Sequence, residues 1–106
     1  MSKLIETLKE SDIVMKELSQ YMNKKQVDMK DFLLKFKLEW QIGYLLDFLY
    51  SKYKATIFVN ENIYIVFIKV GDTPKFIIDK DNKNEVITET YMDAICDTIK
   101  YINKPF

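Results

Sequence analysis

The hydrophobic pattern of this chain changes period near residue 55, and this change constrains the fold more than any other feature of the sequence. Up to residue 53, apart from residues 34–43, apolar residues recur at helical spacing. From residue 55 to residue 88 the chain is rich in β-branched and aromatic residues, which favour strands, and helical spacing returns from residue 90. We therefore predict an α+β fold in the order ααβββ(β)α, with residues 1–106 in a single domain.

Two helices are predicted before the sheet, over residues 2–23 and 28–53, with Asp28 or Asp31 capping the second. The apolar face of the first helix contains Leu4, Leu8, Met15, Leu18 and Met22. Within the second, residues 34–43 alternate apolar and polar side chains, which is typical of a half-buried strand. The segment also lacks proline and is rich in Leu, Lys, Glu and Met, which favour helix. We predict one long central helix, and a strand over 34–43 is the alternative.

Strands are predicted next, as a hairpin over residues 55–60 and 63–70, a third strand over 75–79 and a short fourth strand over 85–88. Together they form an antiparallel meander of three or four strands. Residues 63–68 are apolar at every position, so both faces of this strand are expected to be covered.

The last predicted helix covers residues 90–103, and Thr90 with Asp93 approximates a capping box at its start. Glu89, Asp93 and Asp97 follow one edge of this helix at four-residue spacing. Paired carboxylates can perform acid and base chemistry when burial drives their pKa values apart. Acidic residues early in a helix are also expected from the helix dipole, and we prefer this structural interpretation.

The chain contains no histidine, no arginine and one cysteine, Cys96, so it lacks most side chains that perform chemistry at neutral pH. Cys96 has no histidine to activate it, and we interpret it as a small buried hydrophobic residue. A calcium loop is suggested by the oxygen-bearing side chains of Asp79, Asp81, Asn84 and Glu85. However, Lys83 occupies a ligand position of that pattern. We predict no catalytic residue, no cofactor and no metal, and hence no enzyme.

The first ten residues are charged and lack the apolar region of a secretory signal. The longest apolar stretch, residues 63–68, is too short to span a membrane. These features, together with a lone thiol, predict a cytoplasmic protein without membrane association. The scarcity of residues with GC-rich codons predicts an AT-rich genome, such as that of a low-GC bacterium, a phage or a mobile element.

Lysines cluster in the second predicted helix and just before it, where they could contact phosphates. The set is Lys24, Lys25, Lys30, Lys35 and Lys37. Sixteen lysines are balanced by sixteen acidic residues, so no overall attraction to nucleic acid exists. Nucleic-acid binding through these lysines is therefore the alternative function and not the preferred one.

The chain contains fifteen aromatic residues, including Trp40. Three helices and a small sheet cannot readily bury all of them. Exposed apolar surface usually marks a partner site, and Trp and Tyr are enriched at the energetic centres of interfaces. We predict that Trp40, Tyr50 and Tyr53 bind another protein. The expected function is that of a small non-catalytic inhibitor, immunity or antitoxin-like protein. We also expect the free protein to form a homodimer or higher oligomer through this apolar surface.

Overall fold

The computed structural model describes residues 2–60, 63–70, 72–81 and 84–104. Within these ranges, four helices precede a sheet of three strands and a fifth helix follows it. Their bounds are α1 Lys3–Lys9, α2 Asp12–Lys24, α3 Met29–Leu34, α4 Leu38–Tyr53, β1 Ala55–Val59, β2 Ile63–Val70, β3 Thr73–Asp81 and α5 Ile87–Ile102. The predicted α+β order of helices, antiparallel meander and C-terminal helix is confirmed.

The first predicted helix, over residues 2–23, is divided at Ser11. The hydroxyl of Ser2 caps α1 by accepting a hydrogen bond from the Ile5 N–H at 3.3 Å. Ser11 adopts a non-helical conformation with ψ of 81°, and its buried hydroxyl donates to the Thr7 carbonyl at 2.9 Å. Serine side chains that bond the backbone locally compete with helix formation. The prediction of one uninterrupted helix is therefore wrong at this position.

The second predicted helix, over residues 28–53, is divided at residues 35–37. Asp28 caps α3 because its carboxylate accepts a hydrogen bond from the Asp31 N–H at 2.9 Å, which confirms one of the two predicted caps. Lys37 is extended, with ψ of 151°, and precedes the first residue of α4. The long helix predicted here is thus a short helix, a corner and a helix of 16 residues.

No part of residues 34–43 is a strand, so the alternative for this segment is also wrong. The alternating pattern arises because the chain turns a corner that has its own small core. Phe36 in the corner packs edge-on against Phe32, with ring centroids 5.7 Å apart. The side-chain amide of the buried Gln41 donates to the Phe32 carbonyl at 2.9 Å, which ties α4 back to α3.

The change of period near residue 55 corresponds to a sharp reversal of the backbone. Lys54 ends α4 in the left-handed conformation, with φ of 57°, and its N–H bonds to the Leu49 and Tyr50 carbonyls. Because the chain turns here, β1 begins at the next residue and returns along the helix it has just left.

The strands form an antiparallel meander in the order β1-β2-β3. The register pairs Ala55 with Ile68 on β1 and β2. In the predicted first turn, the Asn60 side-chain oxygen accepts a hydrogen bond from the Ile63 N–H at 2.9 Å, and the other two turn residues lie outside the described ranges. The predicted third strand over residues 75–79 is confirmed and is longer at both ends.

The predicted fourth strand over residues 85–88 is wrong. Residues 85 and 86 form a bend, and α5 begins at Ile87 with Val86 as its N-cap residue. Thr90 lies inside the helix and is fully buried, so the predicted capping box does not form. The last helix therefore starts three residues earlier than predicted.

The two faces of the sheet have different environments. On one face, Tyr64 and Val66 are buried against Ala94 of α5. On the other, Phe58 is 55% exposed and its ring stacks on that of Phe67, with centroids 5.4 Å apart. Strand β2 is central in the sheet, as predicted, but Ile63, Ile65 and Phe67 on its outer face are only half-buried, so the prediction that both of its faces are covered holds on the helix side alone.

Helix α4 contributes the centre of the main core, as predicted for a central helix. Its buried residues Ile42, Leu45, Phe48 and Leu49 pack with residues of α1, α2, α5 and β1. Its opposite side is open, with Trp40 and Tyr50 both more than half exposed. The apolar residues that surround this helix are thus divided between the core and the surface.

We expect Leu45→Ala to lower the free energy of unfolding by about 2–5 kcal/mol, because Leu45 is fully buried and truncation leaves a cavity. The matched control is Leu34→Ala, which removes the same atoms from a side chain that is 65% exposed and should change stability by no more than about 0.5 kcal/mol. Urea unfolding followed by circular dichroism measures both. Equal losses in the two variants would contradict the assignment of α4 to the core.

Candidate functional site

A groove lies between α2 and α4. It consists of two adjoining cavities of about 330 and 550 Å³, which share Tyr21 and Lys25. The α2 side contributes Glu17, Gln20, Tyr21, Lys24 and Lys25, and the α4 side contributes Glu39, Trp40, Gly43, Tyr44, Asp47, Phe48, Ser51 and Lys52. We call this surface the α2–α4 groove.

Two polar bridges cross the α2–α4 groove and hold its walls together. Lys52 forms an ion pair with Glu17 at 2.9 Å, and the Tyr21 hydroxyl donates a hydrogen bond to the Asp47 carboxylate. Burial and this hydrogen bond raise the pKa of Tyr21, so its hydroxyl stays protonated as a donor. Below the bridges, the Tyr21 ring packs on Phe48 at 5.4 Å. The groove therefore has a packed aromatic floor.

Trp40 forms the most exposed part of the wall. Its side chain is 64% exposed, yet its ring packs edge-on against Phe36 with centroids 6.0 Å apart. Phe36 also contacts the ring of Tyr44, one helical turn beyond Trp40. The indole is thus supported on one side and open to solvent on the other.

Two of the five predicted nucleic-acid lysines, Lys24 and Lys25, line the groove. Lys25 Nζ lies 5.6 Å from the centroid of the Tyr21 ring, and neither lysine forms an ion pair in the part of the chain that the structure describes.

The other three lysines lie outside both cavities. Lys35 pairs with Asp31 at 3.2 Å, Lys30 lies on α3, and Lys37 is the N-cap residue of α4. The structure does not bring the five together in the groove.

The predicted partner residues have different positions. Trp40 lines the groove, whereas Tyr50 is exposed further along α4, with Lys54 Nζ 5.4 Å from its ring centroid. Tyr53 is half-buried and packs edge-on against Phe48 at 5.7 Å. Its hydroxyl is buried and has no hydrogen-bond partner among the described residues, and burial raises its pKa.

The carboxylates of α5 form a separate polar network. Asp93 accepts from Lys3 Nζ at 2.8 Å and from the Asn84 side-chain amide at 2.9 Å. Burial opposes ionisation of Asp93, but these two hydrogen bonds outweigh it and lower its pKa. Asp97 accepts from the Tyr64 hydroxyl at 2.7 Å and from Lys80 Nζ at 2.9 Å. Both carboxylates thus join α5 to other elements, which agrees with a structural role.

Glu89, the third predicted carboxylate, is exposed at the start of α5. Cys96 is fully buried, and burial raises the pKa of its thiol, although a hydrogen bond with Thr7 opposes the shift. Neither residue lines the α2–α4 groove.

The predicted turn that resembles a calcium loop includes Lys83, which lies outside the described residues. Among the residues that are described, no three His, Cys, Asp or Glu side chains are close enough to hold a metal ion. None of the described helices has the length and apolar character required to cross a membrane.

Sequence reasoning found Trp40 but missed Tyr21, Gly43 and Asp47. Tyr21 directly precedes Met22, which lies on the apolar face of the first predicted helix. The sequence therefore suggests that Tyr21 lies at the edge of the buried face and not in a binding site. In the sequence Gly43 is a weak signal for a turn, but in the structure it lies within α4. An exposed glycine within an otherwise regular helix is the signal that could have identified the groove.

No protein-family model matches the chain, and no match to it is found among the curated proteins or the solved structures.

We expect Asp93 to make stability depend on pH in the acid range. Its pKa is lower in the folded chain than in the unfolded chain, so its contribution is complete above the unfolded value, near pH 4. It is lost as the pH falls through the folded value. Asp93→Asn should be less stable than the wild type at pH 7, and its stability should fall less between about pH 5 and pH 2.

Glu89→Gln is the matched control because it removes one negative charge from an exposed position on the same helix. Urea unfolding at several pH values gives the free energy of unfolding for each protein. Identical pH profiles for Asp93→Asn and the wild type would contradict the proposed network.

Proposed function

We propose that this chain is a non-catalytic protein-binding module that uses the α2–α4 groove, with Trp40 as the anchor of the interface. The observation that carries this proposal is the position of Trp40, which is 64% exposed on the wall of a groove with an aromatic floor. Binding energy in interfaces concentrates on a few residues, and Trp, Tyr and Arg are the commonest of them.

The exposed indole represents a substantial binding free energy. A large aromatic side chain offers roughly 200 Å² of surface, so 64% exposure leaves about 130 Å² for a partner to cover. At about 25 cal/mol per Å² this corresponds to about 3 kcal/mol of apolar transfer free energy, from which the costs of association are subtracted. Phe36 already supports the ring, which reduces the entropy that would be lost on binding.

Several features support a binding role over a catalytic one. The chain has no histidine, and Tyr21 in the groove is held in its protonated form. The carboxylates Asp93 and Asp97 accept hydrogen bonds from neighbouring elements. A cytoplasmic location and an inhibitory or neutralising action on the partner, both expectations from the sequence, complete the proposal.

Nucleic-acid binding gains no support from the groove. Lys24 and Lys25 line it together with the acidic Glu39 and Asp47, which would repel phosphates. Binding to DNA or RNA is therefore an outcome that would contradict the proposal. It would be recognised by a gel shift at low salt that disappears as salt is raised.

We expect Trp40→Ala to abolish capture of the partner, because it removes the central apolar contact. Tagged wild-type protein and Trp40→Ala are incubated with a lysate of the source organism, and proteins recovered with each are compared by mass spectrometry. The control is Ile87→Ala, which truncates a similarly exposed apolar side chain, 61% accessible, at the start of α5.

The proposal requires a protein that is recovered with the wild type and with Ile87→Ala but lost with Trp40→Ala. Equal recovery with all three would contradict it. Turnover of a small molecule that is lost in Asp93→Asn would replace it with an enzymatic function.

Self-association, also predicted from the sequence, fits the open face of the sheet better than the groove. Phe58, Ile63, Ile65 and Phe67 follow this face, whereas the groove contains both lysines and acidic residues. Interfaces between identical chains are more apolar than those between separate partners. The three strands, of 5, 8 and 9 residues, offer roughly 350 Å² per copy, so a pair of copies buries about 700 Å². This is below the ~1,200 Å² of stable interfaces, so the dimer should be weak.

We expect light scattering to show a mass above that of one chain only at high concentration. Phe58→Thr should restore the mass of one chain, because threonine keeps the strand propensity while removing the exposed ring. Trp40→Ala should leave the association unchanged. A constant mass of one chain over the whole concentration series would contradict self-association.

A further inference from the structure

The open face of the sheet is apolar in its middle and charged at its two ends. Along β2, the side chains on this face are those of Ile63, Ile65, Phe67 and Lys69, because alternate residues of a strand point to the same side. The three apolar residues are half-buried and Lys69 is exposed. Asp81 of β3 is paired with Ile63 and is also exposed, so it lies on the same face at the end opposite to Lys69.

Lys69 and Asp81 are too far apart to pair within one chain. The six residues of β2 that separate the two ends of the face span about 20 Å. Neither side chain forms an ion pair in the part of the chain that the structure describes. Each is therefore available to an opposite charge that another molecule brings to the face.

The other charged residues of β3 leave this polarity unchanged. Lys75 and Lys80 are paired with β2 residues whose side chains face the helices, and Lys80 donates a hydrogen bond to Asp97 on that side. Asp79 is paired with the middle of β2 and lies in the same half of β3 as Asp81. The open face is thus basic at one end and acidic at the other.

Two identical copies of this face have two symmetric ways to pack together with aligned strands. Sheets that pack face to face commonly keep their strands within about 30° of each other, and a pair of identical chains is related by a twofold axis. An axis along the strands brings equal ends together, so that Lys69 faces Lys69. An axis across the strands brings opposite ends together, so that Lys69 of each copy faces Asp81 of the other.

The apolar side chains favour the same arrangement as the charges. Phe58 of β1 is 55% exposed and is paired with Ile65, whereas Thr56 on the same face is paired with Phe67. With the axis across the strands, β1 lies over β1, and Phe58 of each copy packs against the smaller Thr56 of the other. With the axis along the strands, β1 lies over β3 instead, and Phe58 is placed over the position of Asp79.

We propose that the open face of the sheet binds a second copy of the chain with the strands antiparallel, and that Lys69 of each copy pairs with Asp81 of the other. The inference rests on the self-association proposed above and specifies its orientation. Two packed sheets lie about 10 Å apart, a gap that a lysine and an aspartate side chain bridge together. Such pairs fix the orientation of an interface more than its affinity, which agrees with the weak dimer expected from the small area of the face.

Charge reversal tests the pairing, because each single reversal creates two like-charge contacts in the dimer. Lys69→Glu places a glutamate against Asp81 of the second copy, and Asp81→Lys places a lysine against Lys69. Each variant alone should dimerise about tenfold more weakly than the wild type, since like charges that face each other across an interface oppose binding. The double variant Lys69→Glu, Asp81→Lys should recover the wild-type association. Light scattering over a concentration series measures all four proteins.

A mixture of the two single variants is the sharper test. In a mixed dimer the glutamate at position 69 faces the lysine at position 81, and the native Asp81 of one chain faces the native Lys69 of the other. An equimolar mixture should therefore show a higher average mass than either variant alone at the same total concentration. Chains that had failed to fold would not recover on mixing. Lys30→Glu, an exposed charge reversal on α3, is the control and should leave the association unchanged.

The inference is overturned if the single variants dimerise as tightly as the wild type, or if neither the mixture nor the double variant recovers. A dimer that Phe58→Thr dissociates, but that does not respond to the charge reversals, keeps the proposed self-association and excludes this orientation. A dimer that Trp40→Ala dissociates contradicts both, because the contact would then lie in the α2–α4 groove. A wild-type chain that stays single at every concentration also contradicts both, and the occupant of the face would then be a different protein.

Discussion

The buried side of α4 is the contact on which the other elements depend. Leu45 and Phe48 are fully inaccessible to solvent, and they are packed from different directions by the N-terminal helices, by α5 and by β1. A helix with a nearly continuous apolar circumference can bind several neighbours at once, which a strictly amphipathic helix cannot. The cost of this arrangement is that the outer side of the same helix also carries large apolar residues, including Trp40.

The order of the elements could be predicted from the sequence because most of the helices and strands have their own period, although the fourth strand predicted over residues 85–88 is a bend and the start of α5. The two helix breaks could not be predicted in the same way. At the first break Ser11 leaves the helical conformation and its hydroxyl bonds the Thr7 carbonyl, but Ser19 makes the same kind of bond to the Met15 carbonyl within the unbroken α2. The second predicted helix is interrupted at Lys37 because the corner before it is stabilised by the Phe32–Phe36 contact and by the hydrogen bond from Gln41 to the Phe32 carbonyl. The contacts at the second break join residues four and nine positions apart, and the spacing of apolar residues does not show that they form.

The candidate site was accessible to sequence reasoning only in part. Trp40 could be selected because it is the chain's one tryptophan, on a segment with no clear polar side. The opposite wall could not be selected, because Tyr21 comes from another helix, and only the packing of α2 beside α4 brings it to Asp47. In the same way, the apolar pattern of β2 indicates that both sides are suited to burial. It does not reveal that the helices reach just one of them, leaving Phe58 exposed.

The burial of Cys96 has a practical consequence for following the dynamics of the molecule. This thiol is the only one in the sequence and lies in α5 beside α1, where Thr7 contacts it. An alkylating reagent can reach it only when α1 moves away or the whole domain unfolds, since the side chain is inaccessible in the closed state. The rate of alkylation under native conditions therefore measures the free energy of that opening, and its dependence on urea distinguishes local detachment from global unfolding. Alkylation of Cys96 thus reports how often α1 detaches from α5, without any added label.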